Sequence, residues 1–372
     1  MEIFDTSTTS LDVEEQTDSG GVSLDDVIQV FYLVFGILGL FGNGLVLLVM
    51  VRIRSLRTIT NLFIINQSVI DFASSIFLLI LLYNPVKYDF KNWQFNAWTL
   101  FVCYFWQSQY IFWSLMGCST GNLIILTLER GVAVVFPIIY RNRVTWRTAA
   151  VFVVLPWIFG FVFQLYWPSV HHFVDGVCYP SFGNRNVQIA VGVIVFIFKL
   201  FIPVIVMFAV YVAILQRIKP KVTQVRNGNP SLPNATTQRA PLHAPIPDTQ
   251  KTTKNWATTP AAGEAPKSTS QAVPQTHRIR LNIIKTLLLV TVVFAVCWTP
   301  TQLVFLVYNL GGPLDIRGTL YKLSVVVVFI NIWINPVIYT FKYRKFQDGL
   351  RKTFCLGQRQ TTGAPSTVLT LG

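Results

Sequence analysis

The sequence predicts an all-α membrane protein, a bundle of seven transmembrane helices followed by a short amphipathic helix. Three observations predict it. Of the 372 residues 52% are hydrophobic and only 12% are charged, against about 25% charged in soluble domains, so a water-soluble fold has no means of covering this much apolar surface. Apolar stretches near the roughly 20 residues that cross a bilayer recur seven times. The basic residues then fall on alternate connections, as the topology of a spanning chain requires.

Taken in order, residues 1–26 are acidic and polar and lack the basic-then-apolar order of a cleavable signal, so they read as an extracellular tail, with the first span as the targeting segment. The apolar stretches lie at about 27–51, 61–83, 100–128, 148–168, 187–215, 281–309 and 319–341. Residues 1–51 hold eight acidic and no basic side chains, whereas the connections at 52–57, 141–147 and 217–280 and the tail from 342 hold 22 Lys/Arg against three Asp/Glu. Positive residues stay inside. The N-terminus and the loops near 85–98, 171–186 and 310–318 are therefore expected outside the cell and the C-terminus in the cytoplasm. A pI near 9.7 also suits nucleic-acid binding, but the excess sits on the loops that the topology rule makes basic, which removes that function class.

Residues 220–276 carry nine of the 19 prolines and ten threonines with few apolar groups, a composition that reads as a disordered cytoplasmic loop between spans five and six. Phe346, Leu350 and Phe354 repeat every four residues among basic side chains, which reads as a membrane-surface helix over 342–355. A cytoplasmic tail at 356–372 completes the chain. Cys355 is either palmitoylated or an ordinary reduced thiol. Five cysteines without paired CxxC spacing disfavour a disulfide scaffold and a structural zinc fold.

Polar groups inside spans are costly and therefore functional candidates. Asp71 lies mid-span two in Asn-Gln-Ser-Val-Ile-Asp (66–71), and Asn43, Asn66, Ser119, Asn122, Asn331 and Asn335 also fall mid-span. These oxygens suit a small hard cation, or a hydrogen-bond network between helices that holds Asp71 without an ion. Lys199 lies one turn outward of Pro203. Either it faces a cavity, where water or a ligand acid meets it, or it snorkels from a structural position. Burying it unpaired at the membrane centre costs about 2.5–3.5 kcal/mol.

Prolines at 203, 300 and 336 free backbone carbonyls and create points that bend. Two of them sit in compact signatures, Cys297-Trp298-Thr299-Pro300 and Asn335-Pro336-Val337-Ile338-Tyr339. With Gly42-Asn43, Asp71, Glu129-Arg130, Trp157 and Pro203 followed by Tyr211, they lie in order on the seven spans, and over nearly its whole length the chain resembles the rhodopsin-like G-protein-coupled receptors. Within them it is similar to the peptide-receptor branch, with its somatostatin-, galanin- and allatostatin-like invertebrate members.

The resemblance implies an extracellular ligand and a heterotrimeric G protein as the inner partner, with membrane lipid around the spans; a roomy polar-aromatic wall and the acidic tail, which suits a basic peptide, point to a peptide as the ligand. The alternatives are a small non-aminergic ligand or a receptor-like scaffold that does not couple. It implies a Cys103–Cys178 disulfide, with two unpaired thiols as the alternative. No cofactor is expected; Asp71, Ser119, Asn331 and Asn335 fall at matching depths on spans two, three and seven, where their oxygens suit a sodium ion as an allosteric ligand. The ligand cavity the resemblance implies is walled by Gln109, Phe112, Trp113, Met116, Lys199, Trp298, Gln302, Phe305 and Tyr308. Activation and coupling fall to Glu129, Arg130, Tyr211, Trp298, Pro300, Asn335, Pro336 and Tyr339.

The chain also departs from the pattern. Gly131 follows Arg130 in place of the family's tyrosine, and Cys103 lies 27 residues before Arg130, about two more than the pattern has. Span three carries no acid ahead of Glu129, and Phe329 stands seven residues before Pro336, where opsins hold their retinal-binding lysine. Amine and retinal ligands are thus disfavoured. Gly117-Cys118-Ser119-Thr120-Gly121 matches the hydrolase pattern G-x-S-x-G. The serine lies in an apolar helix with no histidine near, so no catalysis is expected and the glycines read as helix-packing positions.

Overall fold

The computed structural model describes residues 23–83, 96–174, 176–218, 275–314 and 318–354, with the side chains of 275–285, 287 and 345 outside it. Most of the acidic tail, most of the proline-rich loop and the Cys355 thiol lie outside the described residues. Among the described residues seven helices are long and apolar enough to cross a membrane: Leu24–Arg52, Ile59–Leu82, Ala97–Val135, Trp146–Ser169, Arg185–Arg217, Leu288–Asn309 and Thr319–Lys342. They are spans one to seven.

Span one begins three residues ahead of the expected boundary because Ser23 caps it. Its hydroxyl accepts from the Asp26 backbone N–H at 3.1 Å while the Asp26 carboxylate accepts from the Ser23 N–H at 3.2 Å, satisfying two orphan donors of the first turn. Span six belongs to a helix from Gln275 to Asn309, so residues 275 and 276, assigned to the loop from composition, are helical.

Span three is the central element, touching spans two, four and five. It is not one uniform helix. A π-helical segment, Val102–Gln107, is followed by Gln109 in the left-handed region (φ 55°, ψ 32°), and the α-helix resumes at Tyr110. A π turn takes up more residues than an α turn. These two irregularities absorb the surplus residues between Cys103 and Arg130 and leave the helix from Tyr110 to Val135 in regular register.

Small residues bring spans three and four together backbone to backbone. A Cβ on Gly117 would lie 3.3 Å from the Gly160 Cα, and one on Gly160 would lie 2.6 Å from the Cys118 nitrogen. The glycines of the G-x-S-x-G match therefore serve helix packing. One apolar cluster surrounds Trp298, Phe294, Phe112 and Phe329, and a second surrounds Val46, Met50, Phe63, Tyr339 and Phe346. Phe41, Val151, Phe208 and Val296 point outward, as a lipid-covered surface requires.

Two smaller elements finish the fold. Strands β1 (His171–Val174) and β2 (Val177–Pro180) form an antiparallel hairpin with Phe173 opposite Cys178. His171 is buried and meets the Trp167 carbonyl at 2.8 Å. Burial holds its imidazole below the usual histidine pKa. His172 points to the other face, so the adjacent pair does not converge on one metal. The terminal helix, Arg344–Phe354, is the short amphipathic helix expected after the last span; Phe346 is wholly buried against the end of the bundle, and Phe354 is exposed.

Candidate functional site

At one end of the bundle, Cys103 and Cys178 form a disulfide with their Cα atoms 5.7 Å apart, tying the hairpin to the start of span three. Beneath it lies a cavity of about 40 Å³ lined by Trp113, Gln164, Tyr166, Trp167, Val195, Lys199, Thr301, Gln302, Phe305 and Tyr321. Four of the nine expected wall residues line it: Trp113, Lys199, Gln302 and Phe305. The other five do not. Phe112, Met116 and Trp298 are buried in the apolar core, Gln109 forms the left-handed break, and Tyr308 is half-buried outside the lining.

Lys199 is buried and turned into this cavity. The π-helical segment Ile197–Phe201 interrupts span five there and carries the side chain inward. Its Nζ donates to Gln164 Oε1 at 2.7 Å and stands 5.8 Å from the centre of the Trp113 ring. Among the described residues no carboxylate lines the cavity. The snorkelling alternative is therefore set aside, since the side chain is turned inward to this cavity and is only 6% exposed.

Halfway through the bundle the described polar residues converge on Asp71, which is 1% exposed. Ser119 donates to Oδ1 at 2.9 Å and Asn335 to Oδ2 at 2.9 Å. Gln67, four residues earlier on the same helix, donates from Nε2 to both oxygens at 3.0 Å and also to the Ser119 hydroxyl. Three of the four residues expected to hold sodium thus meet, joined by an amide that was not expected. Asn331 makes no bond to the carboxylate, and its Nδ2 is buried without a partner. In this packing the set does not fit a cation. Nitrogen donors face both carboxylate oxygens where a hard ion needs further oxygens, and the hydrogen-bond network is what the geometry supports.

At the other end, Glu129 and Arg130 pair at 3.6 Å. Glu129 is held further by Thr60, which donates to Oε1 at 2.6 Å, and by the Tyr140 hydroxyl on the same oxygen. Burial, and then the bond to Glu129, push the Tyr140 hydroxyl up to about 12, so it stays a donor at physiological pH. Tyr211 packs with Val134, Val135, Val210 and Ile214 beside this pair. Gly131 packs its bare Cα against Val210, where any side chain would collide. Trp298 lies fully buried two residues before Pro300, and Tyr339 is buried three residues after Pro336.

The sequence pattern described as 7 transmembrane receptor (rhodopsin family) matches residues 42–339. The chain belongs to that family. Among the similar proteins are galanin receptor 2b of Danio rerio, 26% identical over 337 residues covering 88% of this chain and 74% of the relative. The allatostatin-A receptor of Bombyx mori is 25% identical over 344 residues, covering 88% and 79%. Neuropeptide receptor 22 of Caenorhabditis elegans is 23% identical over 334 residues, covering 86% and 67%.

The rhodopsin-family receptor described here is accordingly a multi-pass membrane protein of the G-protein-coupled class and not an enzyme. Its cavity sits where spans three to seven meet, and its Arg130 end lies across the bundle. Two residues central to these sites, Gln67 and Gln164, escaped the sequence reading. Gln67 had a visible signal, four residues before Asp71 on one helix face. Gln164 had none, being 35 residues from Lys199 and joined to it only by packing.

Proposed function

We propose that this receptor is activated by a peptide that brings an acidic group to Lys199, and that it passes the signal to a heterotrimeric G protein at the Arg130 end. The observation that carries the reading is Lys199, a buried lysine whose described neighbours offer one amide oxygen and one aromatic face, with no carboxylate among the described lining residues. The relatives named as galanin, allatostatin-A and neuropeptide receptors support a peptide as the ligand class. A cavity of about 40 Å³ has room for a carboxylate-sized tip, which leaves the rest of the peptide above it, against the hairpin. The charge distribution supports the disulfide end as extracellular and the Arg130 end as cytoplasmic, at the plasma membrane.

Activation follows as a shift between packings. A ligand favours the open state only by its differential affinity for that state. Contacts on spans five, six and seven bend span six about Pro300 and expose Arg130 and Tyr211 to the G protein. The test uses cells expressing the full chain, peptides in matched acid and amide pairs, and several G-protein sensors. Loss of a charge-assisted bond should lower potency about tenfold or more in the amide member, and Lys199→Met should erase that difference. Equal potencies of acid and amide in the wild type would overturn the reading. Failure of every peptide to drive nucleotide exchange would favour a non-coupling scaffold.

A further inference from the structure

We infer that the side-chain amide of Gln67 occupies the seat a cation would need at Asp71 and closes it to sodium, with Trp157 as the group that locks the amide in place. Gln67 Nε2 stands 3.0 Å from each Asp71 oxygen and in hydrogen-bond contact with Ser119 Oγ. Those three oxygens are the ones a cation would have to share. A nitrogen donor and a cation compete for the same lone pairs, and the nitrogen is covalently tethered one helical turn away.

An amide turned end for end would present its oxygen to this point and welcome a cation. Here the turn is blocked from a distance. Trp157 Nε1 is an obligate donor, and it donates to Asn66 Oδ1 at 3.0 Å. The Asn66 nitrogen therefore faces the other way and donates to Asn122 Oδ1 at 2.8 Å. That leaves the Asn122 nitrogen for Gln67 Oε1 at 2.8 Å and for the Phe63 carbonyl, an obligate acceptor, at 3.0 Å. Gln67 Oε1 is thereby committed to Asn122, and Nε2 must face Asp71. Flipping Gln67 alone would set its oxygen against both carboxylate oxygens and its nitrogen against the Asn122 nitrogen. In a buried network such mismatches are costly.

The relay begins on span four, crosses spans two and three, and ends at Asp71, where Asn335 of span seven arrives from the opposite side at 2.9 Å. The middle of the bundle is thus tied together by the chain's own donors, and the asparagine ahead of the Pro336 bend is held without an ion.

The experiment follows thermal unfolding of the purified full-length receptor as sodium chloride replaces N-methylglucamine chloride at constant ionic strength. The wild-type midpoint should stay within about 1 °C across the series. Gln67→Ala, which vacates the seat, should show a saturable rise of about 3 °C at sodium roughly tenfold above its binding midpoint. Adding Asp71→Asn to Gln67→Ala should abolish that rise. Trp157→Phe, which removes the locking donor, should show a smaller rise of the same kind. If Gln67→Ala does not fold, Gln67→Ser, which also vacates the seat while keeping a polar group, is read in the same way. A saturable sodium rise in the wild type that Asp71→Asn removes would overturn the inference. So would a Gln67 variant as flat as the wild type.

Discussion

Gln109 is the described non-glycine residue with positive φ, at 55°. A side chain in the left-handed region costs about 1–2 kcal/mol, and glycine does not carry that cost. Gln109→Gly should therefore raise the thermal stability of the purified receptor by about 1 kcal/mol, read from its unfolding midpoint. A fall would mean that the glutamine side chain itself holds the break in span three. The strain sits one turn before Trp113, so the same substitution reports on how firmly the wall of the Lys199 cavity is set. Gln164 and Gln67 show the other residue-scale device, an amide serving a buried charge that has no opposite charge beside it.

Spans three and four behave as one unit because glycines let their backbones touch. Gly160→Ala should lower stability by about 1–3 kcal/mol, the usual cost of overpacking, since its Cβ would meet backbone atoms of Cys118 and Ser114 at 2.6 Å that have no room to yield. An unchanged melting temperature would show that the two helices part freely. The hairpin is the second element with a clear test. Cys103→Ala and Cys178→Ala open the same bond, typically worth about 2–4 kcal/mol, and should lower surface expression to a similar degree. A double variant clearly worse than both singles would contradict the pairing.

Across the whole molecule the Lys199 cavity and the Glu129–Arg130 pair lie toward opposite ends of the bundle, with the Asp71 network and Pro300 and Pro336 between them. Glu129 restrains Arg130 and is itself held by Thr60 and Tyr140. Glu129→Gln should therefore raise ligand-independent signalling, and Tyr140→Phe should raise it less because Thr60 remains. Arg130→Ala should lower coupling. A G-protein sensor read at matched surface expression checks all three, and unchanged basal activity in Glu129→Gln would count against the restraint. Each effect is a shift between two packings and is limited by the difference in stability it makes between them.

What the sequence determined by itself was the class of the molecule, because the bilayer imposes length and hydropathy on each span separately. Seven apolar stretches, Asp71 in the second and Pro300 and Pro336 in the last two were legible one segment at a time. The proline-rich loop and the tails were read from composition, and most of them lies outside the described residues. The tertiary structure decided everything that depends on rotation about a helix axis. Phe112 and Met116 entered the core because the π segment and the left-handed Gln109 reset span three, a choice that no local pattern announces. Lys199 turned inward for the same reason in span five. The orientation of Gln67 was set farthest from its own neighbourhood: an obligate donor on Trp157, 90 residues along the chain, determines which end of the amide meets Asp71. A hydrogen-bond direction is passed from helix to helix only after they have packed.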